Sequence, residues 1–442
     1  MRPATAVDAL GPSTPVRRIA RRRYLLACPL ITLLYSASSA PSPLYGVYQD
    51  RWHFGDGVLT GIFAVYSVTV VVALLFLGPL SDRYGRRKLA TAGLATVGTS
   101  MVAFALAPNV EWLITARAVQ GMGVGVAGAA LTAAVVDSRP DDPGLGAMRA
   151  AVCSDLGLGV GVLGAGLLVA YTRDPTSRVF VALVVLICAL LPASVALPSG
   201  AGLHPDQERG RTALGVTSDR RRDFLLHGVG LAVAWAVGGL YLSLGPSIAA
   251  VITGSSGRVS ETVAVSALGL VGGLATWLGG RSEPATQVRV GSPLLVAGLA
   301  IVVWSCLDRS GAWFLVGSVV LGAGWGLLNV GSFRALVGLS DPGNRAGVIS
   351  VAYLISYGAF SIPTLAAGFA VAAYGLRLIT VVFGATAALG AAVAWGFGVR
   401  SGTGTFGRPL DELSSHVMPS PRSDEPPTPR PAGGTYPPRS AS

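Results

Sequence analysis

The sequence predicts an all-α polytopic membrane protein with about twelve transmembrane helices in two six-helix halves. The chain has 442 residues, of which 51% are hydrophobic and 12% are charged, whereas about 25% of residues in soluble domains are charged. The hydrophobic residues form repeated uncharged runs of about 20 residues, the length at which a helix crosses a bilayer. Basic residues concentrate between alternate runs, as in cytoplasmic loops. The net charge of +11 therefore indicates anchoring at a membrane surface and not nucleic-acid binding.

The first element, residues 1–23, is polar, ends in three consecutive arginines and is predicted to be a cytoplasmic N-terminal segment. The apolar run that follows has two interpretations. Small residues from Ser36 to Ala40 resemble the cleavage site of a signal peptide. The run continues past them to Tyr45, however, and further membrane-length runs follow. We therefore expect an uncleaved first span.

The remaining elements divide the chain at a polar segment, residues 198–223, which is predicted to be a cytoplasmic central loop. The N-terminal half covers residues 24–197 and the C-terminal half covers residues 224–399, with about six spans each. Residues 400–442 are rich in proline, serine, threonine and arginine and are predicted to be a disordered tail. Basic residues are concentrated in every second loop from the beginning of the chain to its end, as expected when these loops lie on the cytoplasmic side. We therefore expect both termini in the cytoplasm of a bacterial cell and a multi-pass monomer in the plasma membrane.

Several kinds of chemistry are excluded by what the sequence lacks. Lys88 is the single lysine, and no glycine-rich phosphate loop precedes it, which argues against an ATP-driven pump. The four cysteines lie in or beside apolar runs without metal-ligand spacing and are interpreted as core residues. Two G-x-G-x-x-G matches, at 123–128 and 159–164, lie inside membrane-length runs, where glycines serve helix packing. We expect no enzymatic activity, no metal and no cofactor.

The most specific stretch is the polar step GPLSDRYGRRK between the second and third spans, Gly78 to Lys88. It resembles the loop between helices 2 and 3 of the major facilitator superfamily, whose pattern is G-x-L-[SA]-D-R-x-G-R-[RK]. The resemblance extends over about residues 24–400. It implies a transporter that alternates access to a central site for a small-molecule substrate.

A cytoplasmic gate is the role predicted for this loop. Asp82 and Arg86 are four residues apart and can pair on a helical turn. A carboxylate at 82 can also lie at the positive N-terminus of another helix, which the resemblance implies is span 11, near Arg345. The alternative is that the charges only set topology, which suits Arg87 and Lys88 better than an acid. The predicted gate residues are Gly78, Asp82, Arg83, Gly85, Arg86 and Asp137, the last as a partner of Arg86 or Arg83.

Two charged residues inside the spans are candidates for proton coupling, because intramembrane charges are rare and usually functional. Arg117 precedes Gln120 and Gly121 in a stretch that resembles the family's second motif. Since it lies near the outer end of span 4, snorkelling to the interface is the alternative. Asp155 lies about two turns into span 5. It is expected to be protonated or paired with a base such as Arg149, or else to be a water-exposed acid near the cytoplasmic mouth.

The glycines of span 5 resemble the superfamily's antiporter motif, but Val162 occupies the position of its proline, which weakens the inference of exchange. Helix packing is the role predicted for these glycines and for the Gln-Gly pair of span 4. The packing residues are Gln120, Gly121, Gly157, Gly161, Gly164 and Gly166.

Aromatic and amide side chains with few formal charges suit a cavity for hydrophobic or amphipathic molecules. The cavity residues are predicted to be Tyr35, Trp235, Tyr241, Trp325, Asn329, Tyr353 and Tyr357, with ordinary packing as the alternative for each. The resemblance favours proton-coupled export, as in drug-efflux members. Uptake or facilitated passage of a small metabolite is the second interpretation, and a non-transporting membrane sensor is the third.

Overall fold

The computed structural model describes residues 14–77, 84–139, 142–198, 221–254, 258–340 and 345–401, and this part of the chain contains helices and no strand. Twelve of its helices are long and apolar enough to cross a membrane, which confirms the predicted fold class. Their bounds are α1 Thr14–Ser39, α2 Asp56–Val72, α3 Arg86–Ala105, α4 Val110–Val136, α5 Pro143–Tyr171, α6 Pro175–Val195, α7 Arg221–Thr253, α8 Arg258–Gly279, α9 Pro284–Asp308, α10 Gly311–Gly338, α11 Arg345–Tyr374 and α12 Leu376–Ser401.

The first span differs from the single helix expected from its hydrophobicity. After α1 the chain turns through the 3₁₀ segment Ser42–Leu44 and continues as a short helix, Tyr45–Trp52. Pro41 and Pro43 explain the break, because proline has no N–H to donate within a helix. We call residues 42–52 the outer hook, and we call the end of the bundle at which α1 begins the inner end.

Neighbouring helices follow the same arrangement in both halves. In the first half α3 packs on α4 and α6, α1 packs on α5, and α2 packs on α4. The same pairs recur six helices later, where α9 packs on α10 and α12, α7 packs on α11, and α8 packs on α10. This repetition is the internal symmetry expected of a transporter built from two related bundles.

Two helix pairs make most of the contact between the halves, α5 with α8 and α2 with α11. Glycines allow their close approach. A Cβ added at Gly269 of α8 would lie 2.5 Å from the backbone nitrogen of Gly159 on α5. One added at Gly368 of α11 would lie 2.8 Å from the carbonyl oxygen of Asp56 on α2. Glycine therefore brings the backbones together on both sides of the boundary.

The outer hook supplies a third contact across this boundary. The Ser42 hydroxyl donates a hydrogen bond to the carbonyl oxygen of Leu242 on α7, and Ser42 is completely buried. A cavity of about 520 Å³ lies beside this contact, lined by the hook, by the beginning of α2 and by the outer parts of α5, α7 and α8. Three carboxylates line it, those of Asp50, Asp56 and Glu261.

Candidate functional site

The inner end of the first half carries part of the predicted gate. Gly85 has φ 86°, a left-handed conformation that favours glycine. Arg86 forms an ion pair with Asp137 at the end of α4, the partner expected from the sequence, and its Nη1 also donates to the carbonyl oxygen of Ala133 at 3.1 Å. The Arg23 guanidinium lies 4.0 Å from the same carboxylate. This cluster joins the beginnings of α1 and α3 to the end of α4.

The rest of the predicted gate lies outside the described residues, namely Gly78, Asp82 and Arg83. Their expected contact with span 11 therefore stays a prediction. Gly85, which the structure describes, provides a sharp turn before α3, and no atom of the described residues lies within 4 Å of a Cβ added at this glycine.

Arg117 is completely buried, which rules out snorkelling to the interface. Its Nε donates to the Tyr45 hydroxyl at 2.7 Å, and its Nη1 donates to the Ser38 carbonyl oxygen at 2.9 Å and to the side chain of Gln120. The guanidinium also lies over the ring of Phe63, 4.8 Å from its centroid. These partners belong to α1, the outer hook, α2 and α4, so Arg117 ties four elements of the first half together.

The structure does not bring Arg117 together with Asp155. Arg117 is absent from the lining of the central cavity described below, and among the described residues no carboxylate pairs with it. Gln120 and Gly121 lie at helix contacts, as predicted. Gln120 donates to the Ala37 carbonyl oxygen at 2.9 Å, and a Cβ at Gly121 would lie 2.5 Å from the carbonyl oxygen of Tyr66.

The glycines of α5 pack against two different helices. A Cβ at Gly157 or Gly161 would lie 2.6 Å or 2.2 Å from a carbonyl oxygen of α1. Gly166 faces α8, where a Cβ would lie 2.2 Å from the Thr262 side chain. The packing role predicted for Gly164 is wrong, because a Cβ there would meet no atom of the described residues within 4 Å. Gly164 instead lines a groove between α1, α5 and α6.

A central cavity of about 200 Å³ lies between the halves, lined by α1, α4 and α5 and by α7, α10 and α11. Asp155 lines it from α5, about 18 Å along the helix from its inner end. The residue is only 4% exposed, so it is not the water-exposed acid considered above. Its Oδ2 accepts a hydrogen bond from Thr276 Oγ1 of α8 at 3.4 Å.

No base neutralises this carboxylate within the part of the chain that the structure describes. The expected pairing with Arg149 is wrong. The Arg149 guanidinium lies over the Tyr24 ring of α1, 4.9 Å from its centroid. Since a buried unpaired charge is strongly unfavourable, Asp155 is a natural place for a proton.

Aromatic rings of the second half form the opposite wall of the cavity. Trp235 of α7 lies 4.8 Å from Tyr357 and 6.2 Å edge-on from Phe360, both on α11. Its Nε1 donates to Asn329 Oδ1 of α10 at 3.0 Å, which fixes the plane of the indole. The predicted residues that line the cavity are Tyr35, Trp235, Trp325, Asn329, Tyr353 and Tyr357.

Tyr241 is the exception among the predicted cavity residues. Its hydroxyl shares a hydrogen bond with Ser318, and its ring stacks on Phe314 at 6.0 Å, away from the cavity. It packs α7 against α10, which is the alternative that the sequence left open.

Two residues at this site were missed in the sequence. Arg334 lines the inner part of the cavity and donates to the carbonyl oxygens of Gly280 and Ser282. A basic residue inside an apolar run was an available signal for it. Thr276 carried no such signal, because a lone threonine in a span is usually bonded to its own helix.

Comparison with known proteins places this architecture in context. A family model described as Major Facilitator Superfamily matches residues 27–363. A stretch of 120 residues is 32% identical to the lincomycin resistance protein of Streptomyces lincolnensis, covering 27% of this chain and 25% of that relative. Another of 107 residues is 32% identical to the 4-hydroxybenzoate transporter PcaK of Pseudomonas aeruginosa, covering 24% of each chain. The matched stretch thus spans about a quarter of each of these relatives.

A solved structure of the nucleoside transporter NupG (D323A mutant) superposes with a TM-score of 0.67. It covers 85% of this chain and 99% of that one at 11% identity, so the likeness concerns the fold.

Proposed function

The chain belongs to the Major Facilitator Superfamily of transporters, and from this premise we propose that it exports small hydrophobic or amphipathic compounds in exchange for protons. The observation that carries the proposal is the central cavity, where buried Asp155 faces a wall of aromatic rings. The rings offer apolar and stacking contacts to a substrate. The carboxylate offers one site that a proton can occupy and leave.

Alternating access is the proposed mechanism, with the bundles 24–197 and 224–399 rocking around the cavity. The close glycine contacts between α5 and α8 and between α2 and α11 support this mechanism, because the two bundles meet mainly at these two helix pairs. In this proposal Gly78, Asp82, Arg83, Gly85, Arg86 and Asp137 form the inner gate. Both termini lie in the cytoplasm, and the monomer resides in a bacterial plasma membrane.

Export is favoured over uptake by the similarity to a lincomycin resistance protein. The second candidate, uptake of a small metabolite, is supported by the similarity to a 4-hydroxybenzoate transporter. Val162 occupies the position of the antiporter-motif proline, so this motif does not decide between export and uptake.

The deciding experiment uses purified full-length protein in proteoliposomes of known orientation. An imposed pH gradient of either sign is combined with a panel of lipophilic cations, neutral aromatic compounds and aromatic acids. Proton-driven accumulation opposite to proton flow supports exchange, and accumulation in the same direction supports uptake. The absence of proton-linked flux for every compound, with intact protein shown by its thermal unfolding, would overturn the proposal.

A further inference from the structure

Thr276 is a residue of the second half whose hydroxyl reaches the acid of the first half. Its side chain is completely buried on α8, and its Oγ1 lies 3.4 Å from Asp155 Oδ2 on α5. Hydroxyls in spans usually bond to carbonyl oxygens of their own helix. Ser266, on the same helix, does so with the Val263 carbonyl oxygen at 2.9 Å. Thr276 instead spans the boundary between the two bundles.

Backbone packing fixes this juxtaposition. A Cβ added at Gly269 would lie 2.6 Å from the carbonyl oxygen of Asp155, and one added at Gly273 would lie 3.1 Å from the backbone nitrogen of Leu156. The backbone of α8 therefore crosses directly over α5 where the acid is located. Thr276 follows Gly273 by three residues, so it points along the same face of the helix.

Other groups near Asp155 do not replace this donor. The neighbouring Ser154 hydroxyl is bonded to the Ala150 carbonyl oxygen at 2.9 Å. Arg334 on α10 shares the cavity but is held by carbonyl oxygens of the segment after α8. Among the described residues, the remaining titratable groups around the acid are the thiol of Cys153 on α5 and the phenols of Tyr35 on α1 and of Tyr353 and Tyr357 on α11.

We propose that Thr276 is the positioning residue for the coupling proton, because its hydroxyl stabilises ionised Asp155 only while α5 and α8 are in contact at this level. An ionised carboxylate needs donors, and a buried one without them is strongly disfavoured. Movement of α8 away from α5 withdraws the donor and favours proton uptake. Return of α8 favours proton release. Proton binding is thereby tied to the movement of one half against the other.

This inference rests on the proposed role of Asp155, so its test has a readout that is independent of transport. Protonated carboxylic acids have their own infrared carbonyl band, which Asp155→Asn identifies by its loss. The band is titrated in full-length wild type, in Thr276→Val and in Thr276→Ser. Ser266→Ala is the matched control, because it removes another buried hydroxyl from the same helix. The same four proteins are assayed for pH-dependent flux in proteoliposomes.

Thr276→Val is expected to move the titration midpoint upward by about one pH unit, the size associated with one hydrogen bond to a charged group. Thr276→Ser should restore the wild-type midpoint, and Ser266→Ala should leave it in place. Equal midpoints in wild type and Thr276→Val would overturn the inference while leaving proton-driven transport intact. A shifted midpoint in a protein that shows no proton-linked flux would establish that Thr276 controls the protonation of Asp155, but it would overturn the coupling role together with the proposed function.

Discussion

Arg117 and Tyr45 are joined by a 2.7 Å hydrogen bond from Nε to the phenol oxygen, and neither residue is more than 1% exposed. The bond connects α4 to the outer hook. The other guanidinium contacts go to Ser38 and Gln120, which makes the cation a structural tie between elements of one half.

Arg117→Leu is therefore expected to destabilise the protein by about 3 kcal/mol, because several buried acceptors lose their donor. Thermal unfolding in detergent measures the change. Tyr45→Phe is the graded control, since it removes one hydrogen bond and should cost about 1 kcal/mol. A stable Arg117→Leu protein that has lost only its pH dependence would instead assign the residue to proton coupling.

The ion pair between Arg86 and Asp137 is expected to bias the inner end of the transporter modestly. Both side chains are about one-third exposed, and such pairs contribute about 0.2–1 kcal/mol. Asp137→Asn should raise the labelling rate of a cysteine placed at Ala134, in a background without native cysteines, by less than about fivefold. Asp137→Glu, which keeps the negative charge beside Arg86 and Arg23, should leave the rate near its wild-type value. An unchanged rate in all variants would remove the pair from the gate.

Asp155→Asn is expected to abolish accumulation driven by a pH gradient while retaining downhill movement of substrate, because the amide cannot exchange a proton. Counterflow and gradient-driven uptake in proteoliposomes separate the two activities. Glu111→Gln is the matched control, as it neutralises an exposed acid outside the cavity. If Asp155→Asn kept the pH dependence of the wild type, the proposed role of Asp155 in proton coupling would be wrong.

Two glycines of α5 are expected to differ in how their replacement by alanine changes the stability of the protein. Gly161→Ala should destabilise the protein by about 1–3 kcal/mol, because the new Cβ would lie 2.2 Å from the Ser36 carbonyl oxygen. Gly164→Ala should be neutral or stabilising by up to about 1 kcal/mol, since its Cβ would meet no atom of the described residues within 4 Å and alanine favours helix. Thermal unfolding of both variants checks the order. The reverse order would contradict the α1–α5 packing.

The aromatic wall predicts which tyrosine and tryptophan variants alter substrate affinity. Trp235→Ala should raise the KM for an aromatic substrate about tenfold, given about 1 kcal/mol for an aromatic contact in addition to lost apolar area. Tyr241→Phe should leave KM unchanged, because its ring lies between α7 and α10 and away from the cavity. Equal effects of the two variants would argue against binding at this wall.

Hydrophobic length and charge were enough to predict the number of membrane-length helices found in the described part of the chain. They work because lipid requires every spanning segment to satisfy its own backbone. Reasoning from the sequence also put six of the seven predicted residues at the central cavity, and their part in substrate binding stays a prediction. It failed for Tyr241 and Gly164, because a uniformly apolar helix gives no indication of how it is rotated about its axis.

Most contacts between different helices could not be predicted from the sequence. The burial of Arg117 depends on how the outer hook folds back, and the Thr276–Asp155 contact joins residues 121 positions apart. The pattern of residues in one sequence indicates which side chains share a face of one helix. These contacts depend instead on how two helices pack against each other. Val162, by contrast, is a departure that only the family resemblance made visible.

The hydrogen bond from Ser42 to the Leu242 carbonyl oxygen constrains the sequence at one of its two positions and not at the other. Its acceptor belongs to the main chain, so position 242 can drift through any residue that fits the space without loss of the contact. Position 42 is completely buried, so threonine is the one other small residue that would keep a hydroxyl there. Selection therefore bears on one partner alone, and no compensating pair of substitutions will reveal that the two halves touch at this point.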